Sequence, residues 1–259
     1  MPRPRFYLFR VAPIVIATSL LLTFATTTPA QTTPSQSPSE TLRVFYKALF
    51  ESRFREAFAM SIYQPAIQGL TEKEFAEFRP DFEAMAKGAD GVEITGEAIS
   101  GDVATVFVKI KDDGGEMQTS KVDMIRAGEA WIVGNSDDQK AVKLAGKEYF
   151  FNLRIEAHEA DAAEMMERIV KAQFVYSSQN SGAYADIPTL IKAGFLPPDI
   201  ETPASTGYRY HIKVSADKKS YQAGAEPSEY GRSGKLSFYL DLKGLIRKDI
   251  GGKALTPGK

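Results

Sequence analysis

Apolar residues in the first half of the chain recur at two different periods. Leu42, Phe45 and Leu49 are spaced by three and four, with Tyr46 and Phe50 on the adjoining row, which predicts an amphipathic helix. Ser37 stands at the N-cap, Pro38 at the first helical position and Glu40 at the third, the pattern of a capping box. Phe54, Ala57 and Phe58 predict a short helical piece over 53–60. Thr71 and Glu74 form another box and open a helix that turns Phe75, Phe78 and Phe82 to one side. Pro80 disturbs that helix or starts its last turn. From Gly91 the period becomes two. Val92 and Ile94 lead a strand to Ile99, and Ser100-Gly101-Asp102 is a tight turn. Ala104, Val106, Val108 and Ile110 alternate along 103–111, and Asp112-Asp113-Gly114-Gly115 is a hairpin signal. A return strand over 117–126, a turn at Gly128-Glu129 and a last strand over 130–133 complete a meander.

The stretch 135–147 is polar and charged and is read as a domain boundary, within a linker over 136–154 in which Tyr149-Phe150-Phe151 is either a strand or a docking point. Helical spacing returns from about Glu156. Ala162, Met166, Ile169, Gln173 and Tyr176 follow a 4-3-4-3 pattern flanked by Val170 and Phe174, and Asn180-Ser181-Gly182 ends it. A short helix over 187–193 stops at Gly194, and Pro197-Pro198 enforces extended chain. Three short strands are expected, around 208–214, 220–225 and 236–241. Helices followed by antiparallel strands, twice over, read as an α+β protein.

The N-terminus has the layout of a secretory signal. Arg3, Arg5 and Arg10 precede an apolar run over 11–25, and Thr28-Pro29-Ala30 offers small residues for cleavage before Gln31. The run is short of the ~20 residues needed to span a bilayer, so the mature chain is expected to be periplasmic or secreted, with no stable membrane anchor. Cleavage removes three arginines and no acid, taking the formal charge from −1 to −4. A mildly acidic chain without a basic block argues against nucleic acid and anionic membrane surfaces. The absence of cysteine excludes disulfides, thiolate catalysis and thiolate metal sites.

Two resemblances emerge. The stretch 41–49 (Thr-Leu-Arg-Val-Phe-Tyr-Lys-Ala-Leu), Phe54-Arg55-Glu56-Ala57-Phe58, Gly101-Asp102-Val103-Ala104-Thr105-Val106 and Gly128-Glu129-Ala130-Trp131-Ile132-Val133 are similar to the exported branch of the nuclear transport factor 2-like superfamily. That resemblance implies a bent sheet wrapped around helices as a cone. Ala172-Gln173-Phe174-Val175-Tyr176, Gly182-Ala183-Tyr184, Gly194-Phe195-Leu196 and Phe238-Tyr239-Leu240-Asp241-Leu242-Lys243-Gly244 resemble the globular head of type IV pilins and pseudopilins. The pilin cleavage site and stem are missing, so the resemblance implies a soluble head rather than a fibre subunit. The expected plan is a signal peptide (1–30), a flexible lead-in (31–37), a nuclear transport factor 2-like domain (38–135), a linker (136–154), a pilin-like domain (155–250) and a C-terminal tail (251–259).

Candidate chemistry is sparse. His158, among Glu156, Glu159 and Asp161, reads as part of a solvated helix face rather than a metal site, because zinc usually needs three or four ligands at tight spacing. His211 lies on an outward strand face. Asp112 and Asp113 read as hairpin-turn residues rather than calcium ligands. Asp241 and Asp249 draw notice only because some pseudopilins bind calcium in their last loops. Ketosteroid isomerase-like relatives of the cone use a carboxylate base and a tyrosine donor. Tyr46, Tyr63, Glu97 and Asp123 are the candidates by type, and rim tyrosines and solvent-facing acids are the plainer account. An open cone would require that Phe45, Phe75, Phe82 and Trp131 leave it unfilled. The aromatic set Tyr176, Tyr184, Tyr208, Tyr210, Tyr221, Tyr230, Phe238 and Tyr239 is expected to be mostly packing, with an exposed subset suited to protein contact. No residue is assigned a catalytic, cofactor-binding or metal-binding role, and no cofactor is implied. The expectation is a non-enzymatic exported module that binds an envelope protein or a small ligand. The alternatives are a small-molecule or isomerase-like pocket in residues 38–135, and an accessory protein of a secretion or pilus system.

Overall fold

Helix α1 (Pro38–Phe50) starts where its capping signal stands, with the Ser37 hydroxyl accepting the Glu40 backbone N–H at 3.2 Å. A second acceptor comes from far along the chain. Glu97 takes the Ser39 N–H at 2.8 Å, so a strand residue satisfies one of the orphan donors of the first turn. Glu97→Ala is expected to lower stability by about 0.5–1 kcal/mol through this helix-end contact. Urea midpoints read from Trp131 fluorescence check it, and an unchanged midpoint would contradict the role.

The protein is seen as a computed structural model that describes residues 36–111, 115–203 and 206–256. The leader, Asp112 and Asp113 lie outside the described residues. The chain divides into two units between Tyr149 and Phe150, and both are α+β with one antiparallel sheet each.

In the N-terminal unit, α1 is followed by α2 (Phe54–Ala59), α3 (Gln64–Gln68), α4 (Glu72–Glu77) and α5 (Arg79–Met85). The helix expected after Thr71 is broken at Phe78, because Pro80 fits the first turn of a new helix but not the interior of an old one. Its capping box is complete, with Thr71 and Glu74 bonding reciprocally. Strands β1 (Glu93–Ser100), β2 (Val103–Lys111), β3 (Met117–Ala127) and β4 (Ala130–Val133) form a meander in sequence order. Ala104 pairs with Met124 and Val106 with Val122, which stacks their side chains on the buried face. Segment 60–62 adds to the β4 end through Ile62 N–H to Val133 O and Val133 N–H to Met60 O. Gly134 follows at φ +124, where a Cβ would meet the Ile62 side chain at 2.6 Å, so only glycine fits there.

Residues 136–154, read as a linker, are helical except at Gly146 and Lys147. Asn135 caps α6 (Ser136–Ala145) by accepting the Asp137 and Asp138 N–H groups, and α7 (Glu148–Gln179) begins soon after. Phe150 and Phe151 are buried helical residues, Phe151 lying under the Arg232 guanidinium at 3.8 Å.

In the C-terminal unit, α7 lays Ala162, Met165, Met166, Ile169 and Ala172 on the core, together with α8 (Ile187–Lys192) and the inner faces of β5 (Tyr208–Val214), β6 (Tyr221–Pro227) and β7 (Leu236–Asp241). Val170 and Phe174, expected to flank that face, are exposed, and Met165 and Ala172 take the position instead. Residues 198–201, expected to be extended, form a 3₁₀ turn. A fourth strand, β8 (Gly244–Asp249), pairs antiparallel with β7 and was not expected, because all six of its residues are exposed and carry no alternation. The described part of the C-terminal tail, residues 251–256, packs back on the unit. Ser237 donates to Lys253 O at 2.7 Å and Leu255 is buried.

Candidate functional site

A groove of about 250 Å³ opens beside α1 in the N-terminal unit. Arg43, Tyr46, Lys47 and Phe50 line one wall, and Asp90, Val92 and Ile94 stand on the other. The first four sit at i, i+3, i+4 and i+7, which is one face of a helix. That face adjoins the core stripe of Leu42, Phe45 and Leu49 but does not join it. Phe50 is 60% exposed although its row was read as apolar packing. Among the described residues, the side chains of Arg43, Lys47 and Asp90 make no hydrogen bond or ion pair. Burial pushes the Tyr46 hydroxyl up to about 12, so at neutral pH it is protonated and acts as a donor rather than a base.

The other cone candidates are not gathered around this groove. Tyr63 is buried against Phe58 and Tyr149, with ring centroids at 6.0 and 5.6 Å, and desolvation raises its hydroxyl further still. Glu97 is exposed and holds the start of α1. Asp123 is exposed on β3 and accepts from Thr105 at 3.4 Å. Phe45, Phe82 and Trp131 are buried, while Phe75 is half-buried against Phe82 and under Arg55.

Both histidines lie in the C-terminal unit. His158 does not face solvent as expected. It is half-buried, and its Nδ1 lies 3.0 Å from Ser233 O. A carbonyl only accepts, so Nδ1 carries the hydrogen. A Cβ on Gly207 would fall 2.5 Å from that nitrogen, so glycine leaves the imidazole its space. Glu159 likewise leaves the expected solvated face, accepting the Lys235 and Leu236 N–H groups and tying α7 to the start of β7. His211 stands over Gly224 on the outward sheet face, 3.4 Å from Glu226.

Asp241 accepts the Lys243 N–H within the β7–β8 turn, and Asp249 accepts from the Gly251 N–H and the Tyr230 hydroxyl. No cluster of three or more metal-ligating side chains occurs among the described residues. Of the aromatic set, Tyr208, Tyr221, Phe238 and Tyr239 are buried, Tyr176, Tyr184 and Tyr210 are half-buried, and Tyr230 is exposed. Sequence reasoning missed the groove and the β8 edge. The helical spacing 43/46/47/50 was the one available signal for the groove.

Fold and site together define an α+β protein of two units, each carrying a four-stranded antiparallel meander. No protein-family model matches the chain, and no curated protein matches it. Among solved structures it is similar to a protein described as an NTF2-like transpeptidase from Campylobacter jejuni, at 14% identity over 38% of this chain and 98% of that one, with a TM-score of 0.28. It is also similar to a SEC-C motif-containing protein from Rhodopseudomonas palustris, at 17% identity over 39% of this chain and 79% of that one, with a TM-score of 0.28.

Proposed function

We propose that the chain is an exported, non-catalytic binding protein whose N-terminal unit holds a small molecule in the groove beside α1. The lining of that groove carries the reading. It sets two cations without counter-ions and a tyrosine donor beside an exposed phenylalanine, on a helix face that the core does not use. Apolar walls with a few convergent polar groups are the usual make-up of a ligand site. Small aromatic and aliphatic fragments are expected to perturb the backbone amides of 43–50 and 89–94 in NMR spectra. Phe50→Asp, which places a charge beside the apolar wall, should abolish that response. Fragments that perturb only other surfaces would overturn the assignment.

Export rests on the arginines, apolar run and Ala30 of the leader. No helix among the described residues is long and apolar enough to cross a membrane. N-terminal sequencing of the mature protein is expected to start near Gln31, and retention of residues 1–30 would contradict it.

The order of elements supports the finer descriptions. Helices precede a meander in residues 38–135, as a nuclear transport factor 2-like cone has them. A long helix precedes an antiparallel sheet in 155–250, as a stem-less pilin-like head has them. A second reading, an accessory protein of a secretion or pilus system, is favoured by the β8 edge. Ile246 there is 56% exposed, with Leu242 and Leu245 exposed beside it. An open edge strand is a template for an extended segment of another protein. A photo-crosslinker at position 246 should trap one discrete envelope protein that a crosslinker at exposed position 144 does not. Equal trapping at both would remove this reading.

A further inference from the structure

We propose that the groove beside α1 is a site for a small organic monocarboxylate, its apolar body against Phe50, Val92 and Ile94 and its carboxylate held by Arg43 and Lys47. This rests on the reading that the groove binds a small molecule, and adds the class of that molecule. Arg43 and Lys47 are one helical turn apart, so their head groups can converge on one anion. The guanidinium fork matches the two oxygens of a carboxylate. Neither cation has a counter-ion among the described residues, so an anion would not have to displace one.

Asp90 sets the charge of the ligand. With it, the lining carries two positive groups and one negative, a net of one positive charge. That balance suits a single negative charge and disfavours a phosphate monoester, which carries nearly two. Tyr46 supplies a hydroxyl donor whose proton is retained at neutral pH. Size limits the ligand further. A groove of about 250 Å³ is smaller than the ~300–1,000 Å³ of drug-sized sites, which points to a one-ring or short-chain acid.

The test uses the full mature chain, with 3-phenylpropionate and hexanoate as probes, 3-phenylpropanol as the neutral counterpart and phenyl phosphate as the dianion. Both carboxylates are expected to shift the amides of 43–50 and 89–94 and to bind about tenfold tighter than the alcohol. Arg43→Gln and Lys47→Gln should each weaken carboxylate binding about tenfold and leave the alcohol unaffected. Both side chains are solvent-facing, and Trp131 fluorescence verifies that the variants are folded. If the alcohol binds as tightly as the acids at the same amides, the anion class is wrong while the groove stands. Tighter binding of phenyl phosphate would replace the monocarboxylate with a dianion. No response of those amides to any probe would overturn both the class and the site.

Discussion

Phe82→Ala is expected to cost the N-terminal unit about 3–5 kcal/mol, the range for a buried phenylalanine truncated to alanine. Phe82 is fully buried, and four aromatic rings surround it. Ring centroids lie at 5.0 Å to Phe58, 5.4 Å to Phe75, 5.7 Å to Phe54 and 5.9 Å to Phe78. These rings come from α2, α4 and the break after α4, and Phe82 itself stands on α5, so its ring is the common filler for three short helices. None of these helices exceeds seven residues, and helices that short have little stability of their own. Their order must come from this contact. A domain stability of about 5–15 kcal/mol would be cut by roughly a fifth or more. The single tryptophan, Trp131, is buried in the same unit and reports its unfolding in urea. A loss under about 1 kcal/mol, well below the truncation range, would mean that the helices are held by something else. Phe82→Leu, which keeps most of the volume, should recover part of the loss.

Gln173→Leu is expected to destabilise the C-terminal unit by about 2–5 kcal/mol, although it replaces a polar side chain in the core with an apolar one of similar size. Gln173 is fully buried on α7, and its amide is used at both ends. The NH₂ donates to Ala185 O at 2.6 Å and the carbonyl accepts the Ala185 N–H at 3.0 Å. Ala185 is also buried, so leucine would leave two backbone groups without partners or water. Each such group costs about 1–3 kcal/mol, more than the apolar gain of burying leucine offsets. Hydrogen exchange at the Ala185 amide is the direct readout. Wild-type protection should be high, and in Gln173→Leu it should fall with the thermal midpoint. Unchanged exchange at Ala185 would show that the side chain is not what holds that segment.

The groove at α1 makes the contrast between sequence and structure concrete. Its helix is legible at once, because Ser37 and Pro38 mark the start and Leu42, Phe45 and Leu49 mark the buried face. The second stripe, Arg43, Tyr46, Lys47 and Phe50, is equally visible as spacing. What could not be read is that Asp90, Val92 and Ile94 stand across from it, some forty residues on. Helix α6 was missed for a different reason. Asn135 followed by Asp137 and Asp138 is a legible helix start, but Ala141, Val142, Leu144 and Ala145 give it only a short apolar set, of which Val142 alone is buried, so the segment read as a linker. Strand β8 was invisible because a strand exposed on both faces has no period of two to show.

By itself the sequence determined the α+β class, the two successive helix-then-meander blocks, most strand positions and the absence of thiol chemistry. These follow from local rules, in which caps, prolines and the period of apolar residues act within a turn or a strand. Only the tertiary structure decided what the polar residues do. Glu97 caps a distant helix, Gln173 and Glu159 hold remote backbone groups, and Arg43 and Lys47 are left without partners beside an open groove. Hydrophobic burial is set by the side chain itself and leaves a repeating trace in the chain. A hydrogen-bond or charge partner is set by what the fold brings within about 3 Å, and no pattern of neighbours along the chain records it.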